Sequence, residues 1–536
     1  MVTEWSFQSE KTYQDPFNEV ELDVIFTGPQ GAEQRVPAFW AGDNIWRVRF
    51  AEQNPGTYCY TTVCSDTANT DLHGLSGEVK VLPYEGDNPL YKHGPIQVAA
   101  DRRHFEHTDR TPFLWLGDTW YMGLCNRLDW PKSFQSLVID RVEKGFNTAM
   151  IVAGLYPDMG PFDPRGANEA GFPWEEENTR INPSYFDMAD RRITYMVDSG
   201  IVPCIFGCWG FHLEFMGAEK IKKHWRYLVA RYGAYPVAWC VAGEAVMPYY
   251  LSKYFNDRES YEPGARHDWT EITRYVRELD TYQRPITIHP TIYRYDMVED
   301  LNLLDMLMLQ TGHGSHQSIH TTVKVLQETM KRAPEMPVMI GEACYEGICE
   351  GNREEIQRYI FWASILSGAA GHIYGADGIW QVNRKDEQFG PSPTGAAWGE
   401  SFFEDACQFK GSAHLGLAKK FLERYSWEHI EPHQEWLEIG ANSGIYTEEV
   451  QKYLIPYAAG IPGKLRLIYL GVWMAQLDKV KGIEPGVKYR AFLFNTSSGR
   501  EYNLGEVVPD SDWNWPVPQQ PIYRDWVLVL EEDDLR

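Results

Sequence analysis

The middle of the chain alternates between short apolar runs and longer amphipathic stretches. Each run is apolar along its length, as in a strand buried on both faces. The eight strand candidates are residues 113–116, 148–153, 202–206, 237–241, 286–289, 306–310, 338–340 and 372–374. After the third run, Ile221, Trp225 and Leu228 lie at i, i+4 and i+7, a spacing typical of a helix packed on a core. Eight such units predict a (β/α)8 TIM barrel over residues 96–428.

Both ends of the chain predict β-structure instead. Residues 1–90 contain short strand-like segments separated by Gly, Pro and Asn, which is typical of a β-sandwich. Residues 429–536 contain strand-like runs again, the clearest being 464–470, 489–494 and 526–530. We therefore predict an α/β fold: a (β/α)8 TIM barrel flanked by N-terminal and C-terminal β-sandwich domains. No glycine-rich phosphate loop follows any strand, which argues against a nucleotide-binding open sheet.

Two of the central runs lead into a Gly-Glu pair. Glu244 follows the fourth run and Glu342 follows the seventh. In a parallel barrel the carboxyl ends of the strands meet at the active-site mouth, so these glutamates should face one another. A facing carboxylate pair is typical of glycoside hydrolysis, in which one member protonates the leaving oxygen and the other attacks or activates water. Alternatively, the two glutamates would be helix N-caps or would form salt bridges at the rim of the barrel.

Other polar and aromatic side chains at strand ends are candidate substrate contacts. Polar groups there would bind sugar hydroxyls, indole rings would form a stacking floor, and Tyr345 would donate a hydrogen bond to Glu342. The candidates are Asp118, Trp120, Trp209, His289, Gln310, His313, Tyr345 and Trp380. Alternatively, Asp118 would be a helix N-cap, the other polar side chains would be hydrogen-bonded within the core, and the aromatic side chains would pack in the core.

Three histidines raise the question of a metal site. His313, His316 and His320 have a spacing that would suit metal ligands only on a helix that starts at His313. Gly312 and Gly314 predict a loop at this point. No paired Cys-x-x-Cys motifs occur either, so we expect neither a metal nor a cofactor.

Three segments resemble the apiosidase-like glycoside hydrolases. They are residues 115–120, the strand end at Gly243 and Glu244, and residues 341–347. The resemblance implies a barrel preceded by a small β-domain and followed by a β-sandwich. It also implies a retaining glycosidase with Glu244 on strand four as an acid/base of raised pKa and Glu342 on strand seven as nucleophile. That family commonly has Asp where this chain has Glu244, and related barrels commonly have Asn where Gly243 stands.

Length, net charge and cysteine content indicate how many domains, which partners and which location to expect. A chain of 536 residues predicts several domains. Its net charge of −25 argues against nucleic acid and anionic membranes as partners. No apolar run reaches the roughly 18–20 residues of a membrane helix, and the first residues lack the features of a signal peptide. With nine cysteines, several of them in apolar runs, we expect a reducing cytoplasmic location.

These observations predict a retaining glycoside hydrolase that acts on a small oligosaccharide or glycoside. The aromatic content of 14% suits a carbohydrate substrate, because aromatic faces cover the apolar faces of sugar rings. A non-catalytic carbohydrate-binding protein on a degenerate barrel is one alternative, and a barrel hydrolase or lyase with a non-sugar substrate is another. The sugar, the linkage, exo or endo action and homo-oligomer formation are left open.

Overall fold

A computed structural model describes residues 1–440, 447–472 and 474–533. The N-terminal strands are β1 Thr3–Gln8, β2 Leu22–Thr27, β3 Glu33–Pro37, β4 Phe39–Trp40, β5 Ile45–Phe50, β6 Gly56–Cys64 and β7 Ser76–Val81, with a short helix α1 at Pro16–Glu19. They form two antiparallel sheets, ordered β1-β5-β4 and β3-β2-β6-β7. Phe26 of β2 stacks on Phe50 of β5 with ring centroids 4.0 Å apart, so the two sheets share one apolar core.

A small antiparallel sheet, which the sequence patterns did not predict, connects this sandwich to the barrel. A short helix α2 at Pro89–Lys92 precedes its strands, β8 Ile96–Val98, β9 Phe105–His107 and β10 Pro112–Phe113. Phe105 packs at 5.0 Å from the ring of Trp115, the first residue of the first barrel strand. The sheet therefore lies against the amino-terminal end of that strand.

Eight parallel strands form the barrel. They are β11 Trp115–Thr119, β12 Thr148–Val152, β13 Val202–Phe206, β14 Ala238–Cys240, β15 Ile286–Thr287, β16 Leu307–Gln310, β17 Val338–Glu342 and β18 Gly371–Tyr374. β11 pairs with both β12 and β18, so the sheet curves into a ring. Between β15 and β16, the backbone N–H of Asp305 donates to the carbonyl of Ile286 at 2.9 Å. The predicted TIM barrel is confirmed.

Helices cover the outside of this ring. They are α3 Lys132–Lys144, α4 Pro183–Asp198, α5 His212–Tyr232, α6 Arg258–Leu279, α7 His316–Arg332, α8 Glu354–Ile365, α9 Phe403–Ala406 and α10 Lys410–Leu422. Ile221, Trp225 and Leu228 are all buried on α5, as their spacing predicted. Between β15 and β16 the structure has only a single turn of 3₁₀ helix, Leu301–Leu303, so this unit departs from the regular strand–helix pattern.

The C-terminal part forms a second sandwich. Its strands are β19 Glu431–Pro432, β20 Leu437–Ile439, β21 Tyr457–Ile461, β22 Leu465–Leu470, β23 Leu477–Val480, β24 Tyr489–Asn495, β25 Glu501–Glu506, β26 Trp515–Pro516 and β27 Trp526–Glu532, with a short helix α11 at Glu448–Gln451. They form sheets of six and three strands. The predicted domain limits at residues 90, 96 and 428 stay predictions.

The six-stranded sheet is apolar on both faces. On β22, Leu467 and Tyr469 belong to the core shared with the barrel, whereas Ile468 and Leu470 belong to the core between the two C-terminal sheets. Since successive side chains of a strand point to opposite faces, both sets must be apolar, and this explains the continuous apolar run.

A buried ion pair also joins the barrel to this sandwich. Arg358 of α8 contacts both carboxylate oxygens of Asp525, at 2.7 and 2.9 Å. Arg358→Ala would leave the Asp525 carboxylate buried without its partner, so we expect the free energy of unfolding to fall by about 3–5 kcal/mol. Arg103, whose exposed ion pair with Glu431 also joins the two parts, is the matched control. Arg103→Ala should cost less than about 1 kcal/mol. Equal denaturation midpoints for the two variants would contradict this account.

Candidate active site

Two glutamates meet at the mouth of the barrel. Glu342 is the last residue of β17, and Glu244 lies just beyond the end of β14. Gln310, the last residue of β16, donates from its Nε2 to Oε1 of Glu244 at 3.1 Å and to Oε1 of Glu342 at 2.8 Å. Because a single nitrogen reaches both oxygens, these two oxygens lie within about 6 Å of each other. The structure thus brings the two predicted catalytic residues together.

The Glu342 carboxylate is buried, with 6% of the residue exposed, and is surrounded by donors. Oε1 accepts from His313 Nε2 at 3.0 Å, and Oε2 accepts from the hydroxyls of Tyr121 at 3.1 Å and Tyr345 at 2.9 Å. Burial alone would raise the pKa of this group. The hydrogen bond from His313 and the imidazole of His289, 3.5 Å away, outweigh it and lower the pKa of Glu342 to about 2.

Backbone contacts orient the His313 imidazole. The backbone N–H of Tyr345 donates to His313 Nδ1 at 3.2 Å, so Nε2 is the nitrogen that carries a hydrogen toward Glu342. The predicted loop at this point ends at Ser315, and α7 begins at His316. His313 thus lies on the loop, before α7 begins, and hydrogen-bonds a glutamate.

Glu244 has the opposite electrostatic environment. Besides Gln310, its donor is Trp209 Nε1, 3.2 Å from Oε2. Burial is the largest effect, and the charges of Glu342 and Asp158 add to it, so the pKa of Glu244 rises to about 7. The two carboxylates therefore differ in ionisation across the acidic and neutral range.

Close contact with Trp209 explains why a glycine precedes Glu244. A Cβ on Gly243 would lie 2.2 Å from Cε3 of the Trp209 indole, so no larger residue fits without moving that ring. The close approach lets Trp209 reach the carboxylate that follows. This contact accounts for Gly243 at a position where related barrels commonly have Asn.

Asp158, which the sequence reasoning missed, is a third carboxylate at this mouth. It lies in the loop after β12 and accepts from the Tyr250 hydroxyl at 2.6 Å and from Trp398 Nε1 at 2.8 Å. Burial raises its pKa, although both hydrogen bonds oppose the shift. Its only signal in the sequence is its position after a predicted strand. Tyr121, also missed, directly follows the segment 115–120.

Asp118 and Trp120 do not belong to the site, which corrects their prediction as substrate contacts. Asp118 is fully buried and accepts from Arg141 Nε at 2.6 Å and from Trp120 Nε1 at 2.8 Å. The buried guanidinium of Arg141 on α3 requires a carboxylate partner, and Asp118 supplies it. Trp120 is fully buried and packs edge-on against Phe134, so its ring is part of the core.

The remaining predicted aromatic residues form the walls of the mouth. The Tyr121 ring lies 5.0 Å from Trp209 and 6.4 Å from Trp380, edge-to-face in both cases. Both indoles are nearly covered, at 4% and 5% exposure. Trp209 meets the pair through its N–H group, which donates to Glu244, rather than through a broad open face.

Several buried polar atoms around the pair have no hydrogen-bond partner within the part of the chain that the structure describes. They are both ring nitrogens of His289, Oε1 of Gln310 and Nε1 of Trp380. Unpaired buried donors and acceptors are costly, and native structures contain few of them. Those beside the two glutamates can bind a ligand with many hydrogen-bonding groups.

The described residues include no group of three or more His, Cys, Asp or Glu side chains arranged to hold a metal ion. Within the same ranges, no helix has the length and apolar character needed to cross a bilayer.

Comparison with known proteins shows which family this chain matches. A family model described as the apiosidase-like catalytic domain matches residues 99–429, and a domain of unknown function matches residues 1–65. A solved structure described as a glycoside hydrolase is similar at 19% identity and a TM-score of 0.67, over 83% of this chain and 99% of that one. A glycoside hydrolase family 5 protein from Bacteroides vulgatus ATCC 8482 is similar at 20% identity and a TM-score of 0.66, over 83% and 96%. No curated protein matches.

The raised pKa of Glu244 has a consequence for stability. Between its ordinary value of 4.5 and about 7, the folded protein keeps a proton that the unfolded chain releases, so stability falls as pH rises through this window. Glu244→Gln removes the effect, and at pH 8 we expect the variant to be more stable than the wild type by roughly 2–3 kcal/mol. Urea denaturation at pH 5 and pH 8 measures the difference. Glu33→Gln, on the exposed face of β3, is the control, and a gain independent of pH would contradict the interpretation.

Proposed function

Since the chain belongs to the apiosidase-like family and is a glycoside hydrolase, we propose that it cleaves a small oligosaccharide or glycoside with retention of configuration. The observation that carries the proposal is the Gln310 amide nitrogen shared by Glu244 and Glu342. It brings two carboxylate oxygens within about 6 Å, whereas inverting enzymes separate their carboxyl groups by ~6.5–9.5 Å to admit a water.

Glu342 is the nucleophile. With a pKa lowered to about 2, it is ionised in mildly acidic and neutral solution, and its donors hold it in one orientation. Its carboxylate attacks the anomeric carbon, and the bond to the leaving oxygen breaks as a covalent glycosyl-enzyme forms. The hydrogen bonds from Tyr121 and Tyr345 fix Oε2, so the nucleophile loses little freedom when it attacks.

Glu244 is the general acid/base. With a pKa of about 7 it holds a proton in mildly acidic to neutral solution and delivers it to the leaving oxygen. In the second step the same group, now ionised, removes a proton from the water that attacks the glycosyl-enzyme, and the starting state is restored. When the charge of Glu342 is neutralised in the intermediate, the repulsion that raised the pKa of Glu244 is relieved, which favours the base form.

The unpaired polar atoms of His289, Gln310 and Trp380 suit sugar hydroxyls, which donate and accept at once. A non-catalytic carbohydrate-binding protein would need these groups as well. It would have no use for two carboxylates of opposed pKa, which is why the proposal is an enzyme.

Separate replacement of the two glutamates tests the mechanism. On a panel of 4-nitrophenyl pentosides and hexosides, Glu342→Gln should lower turnover by several orders of magnitude, because the attacking charge is lost. Glu244→Ala should affect activated aryl leaving groups less, and added azide should restore its turnover by attacking the intermediate.

Glu259→Gln, an exposed glutamate in the first turn of α6, is the matched control and should keep wild-type rates. Near-normal activity in both active-site variants, with no response to azide, would contradict the assignment of Glu244 and Glu342 as catalytic residues.

The pH dependence follows from the same two groups. Of the two glutamates, only Glu244 changes its protonation between pH 4 and pH 9. We therefore expect kcat/KM to be constant in acid and to fall above a midpoint near pH 7, where Glu244 loses its proton. The alkaline decline should be absent in Glu244→Ala assayed with an activated aryl glycoside. An unchanged decline in that variant would mean that another group sets it.

A further inference from the structure

The loop between β18 and α9 lines a cavity of about 340 Å³, and Trp380 in its wall packs against Tyr121, which donates to Glu342. Trp380, Phe389 and Trp398 supply aromatic walls, and Gln388 and Glu400 lie exposed at its rim. Building on the proposed function, we propose that this cavity is a second sugar subsite. It holds a ring attached to the glycone on the side away from the acid/base, so the substrate carries at least two sugar units on its glycone side.

The position of the cavity around the barrel indicates which side it serves. β18, whose loop forms the cavity, pairs directly with β17, which carries Glu342, whereas β14, which precedes Glu244, lies across the ring. The leaving group must lie beside Glu244, because that residue protonates its oxygen. A cavity next to the nucleophile strand therefore faces the glycone rather than the leaving group.

Trp398 has the features of a preformed stacking surface. Its indole is 48% exposed, yet its Nε1 is held by Asp158 Oδ2 at 2.8 Å. An exposed ring that is fixed by a buried carboxylate loses little freedom when a ligand covers it. A sugar presents apolar C–H faces to such a ring and hydroxyls at its edge, which matches aromatic walls with a polar rim.

The inner wall is also held in place. The guanidinium of Arg165 lies 4.7 Å from the Phe389 ring, and the Phe389 N–H donates to Asn383 Oδ1 at 2.8 Å. Trp380 lines the cavity, and its Nε1–H has no protein partner within the described residues. A hydroxyl of a bound sugar would satisfy it. The volume is at the lower end of ligand pockets, which suits one ring rather than a polymer.

The test compares glycone lengths. One probe is a 4-nitrophenyl monosaccharide glycoside that the wild type turns over, and the other is the same glycoside with one further sugar on its glycone. We expect the wild type to prefer the longer probe and Trp398→Ala to reduce that preference, the ratio of kcat/KM on the longer probe to that on the shorter one, about tenfold. Trp513→Ala, in the C-terminal sandwich and similarly exposed at 44%, should change neither value.

A second variant separates stacking from support of Asp158. Trp398→Phe keeps an aromatic face but loses the N–H bonded to Asp158, so it should retain most of the preference for the longer probe. If Trp398 only held Asp158 in place, Phe and Ala would be equally damaging. Calorimetric titration of both probes into Glu342→Gln, with and without Trp398→Ala, measures dissociation constants in the absence of turnover. These constants allow the same comparison of the two probes.

The outcomes distinguish the two proposals. Absence of turnover by the wild type on every glycoside of the panel would count against the proposed function. Turnover that does not depend on glycone length, or a Trp398→Ala effect confined to substrates extended on the leaving-group side, would overturn the subsite assignment alone. An equal loss on both probes would overturn it as well.

Discussion

Electrostatic repulsion between two neighbouring carboxylates is the constraint on which this site depends. Glu244 and Glu342 share one amide nitrogen in a desolvated mouth, where two negative charges so close together are unfavourable. The protein resolves the conflict by distributing donors unequally. Glu342 takes two tyrosine hydroxyls and an imidazole N–H, and Glu244 keeps one indole N–H besides the shared amide. Between about pH 2 and pH 7, Glu342 is therefore ionised while Glu244 keeps its proton.

The unequal distribution depends on backbone geometry that the barrel enforces. Glu244 has a φ of 42°, Cys344 just after β17 has 43°, and Asp158 has 55°, all left-handed values that non-glycine residues seldom adopt. Hydrogen bonds from neighbouring strands and loops compensate for this strain. Asp158 links the loop after β12 to the loops after β14 and β18, so one buried carboxylate orders three loops.

The sequence predicted those parts of the structure that follow from local pattern. Continuous apolar runs marked the eight barrel strands, because strands buried on both faces need apolar residues at every position. The strand-end position of Glu244 and Glu342 then followed from parallel topology. Asp158, by contrast, contacts Tyr250 and Trp398, which are distant in the chain, and no local pattern encodes such contacts. Asp118 was misassigned for a related reason: its partner Arg141 lies on the next helix, with nothing in the sequence to pair them.

Buried carboxylates alone do not mark catalysis in this chain, because Glu346 has almost the same shift as Glu244. Burial raises the pKa of Glu346 to about 7 as well. Its oxygens, however, accept from the Tyr374 hydroxyl at 2.6 Å and from the backbone N–H of Gly411 at 2.9 Å, at the start of α10. A Cβ on Gly411 would lie 2.2 Å from Oε2, so protein atoms fill the space around this carboxylate. The two residues differ in their surroundings. Unpaired polar atoms beside Glu244 can bind a ligand, whereas the start of α10 packs against Glu346 and leaves no space for one.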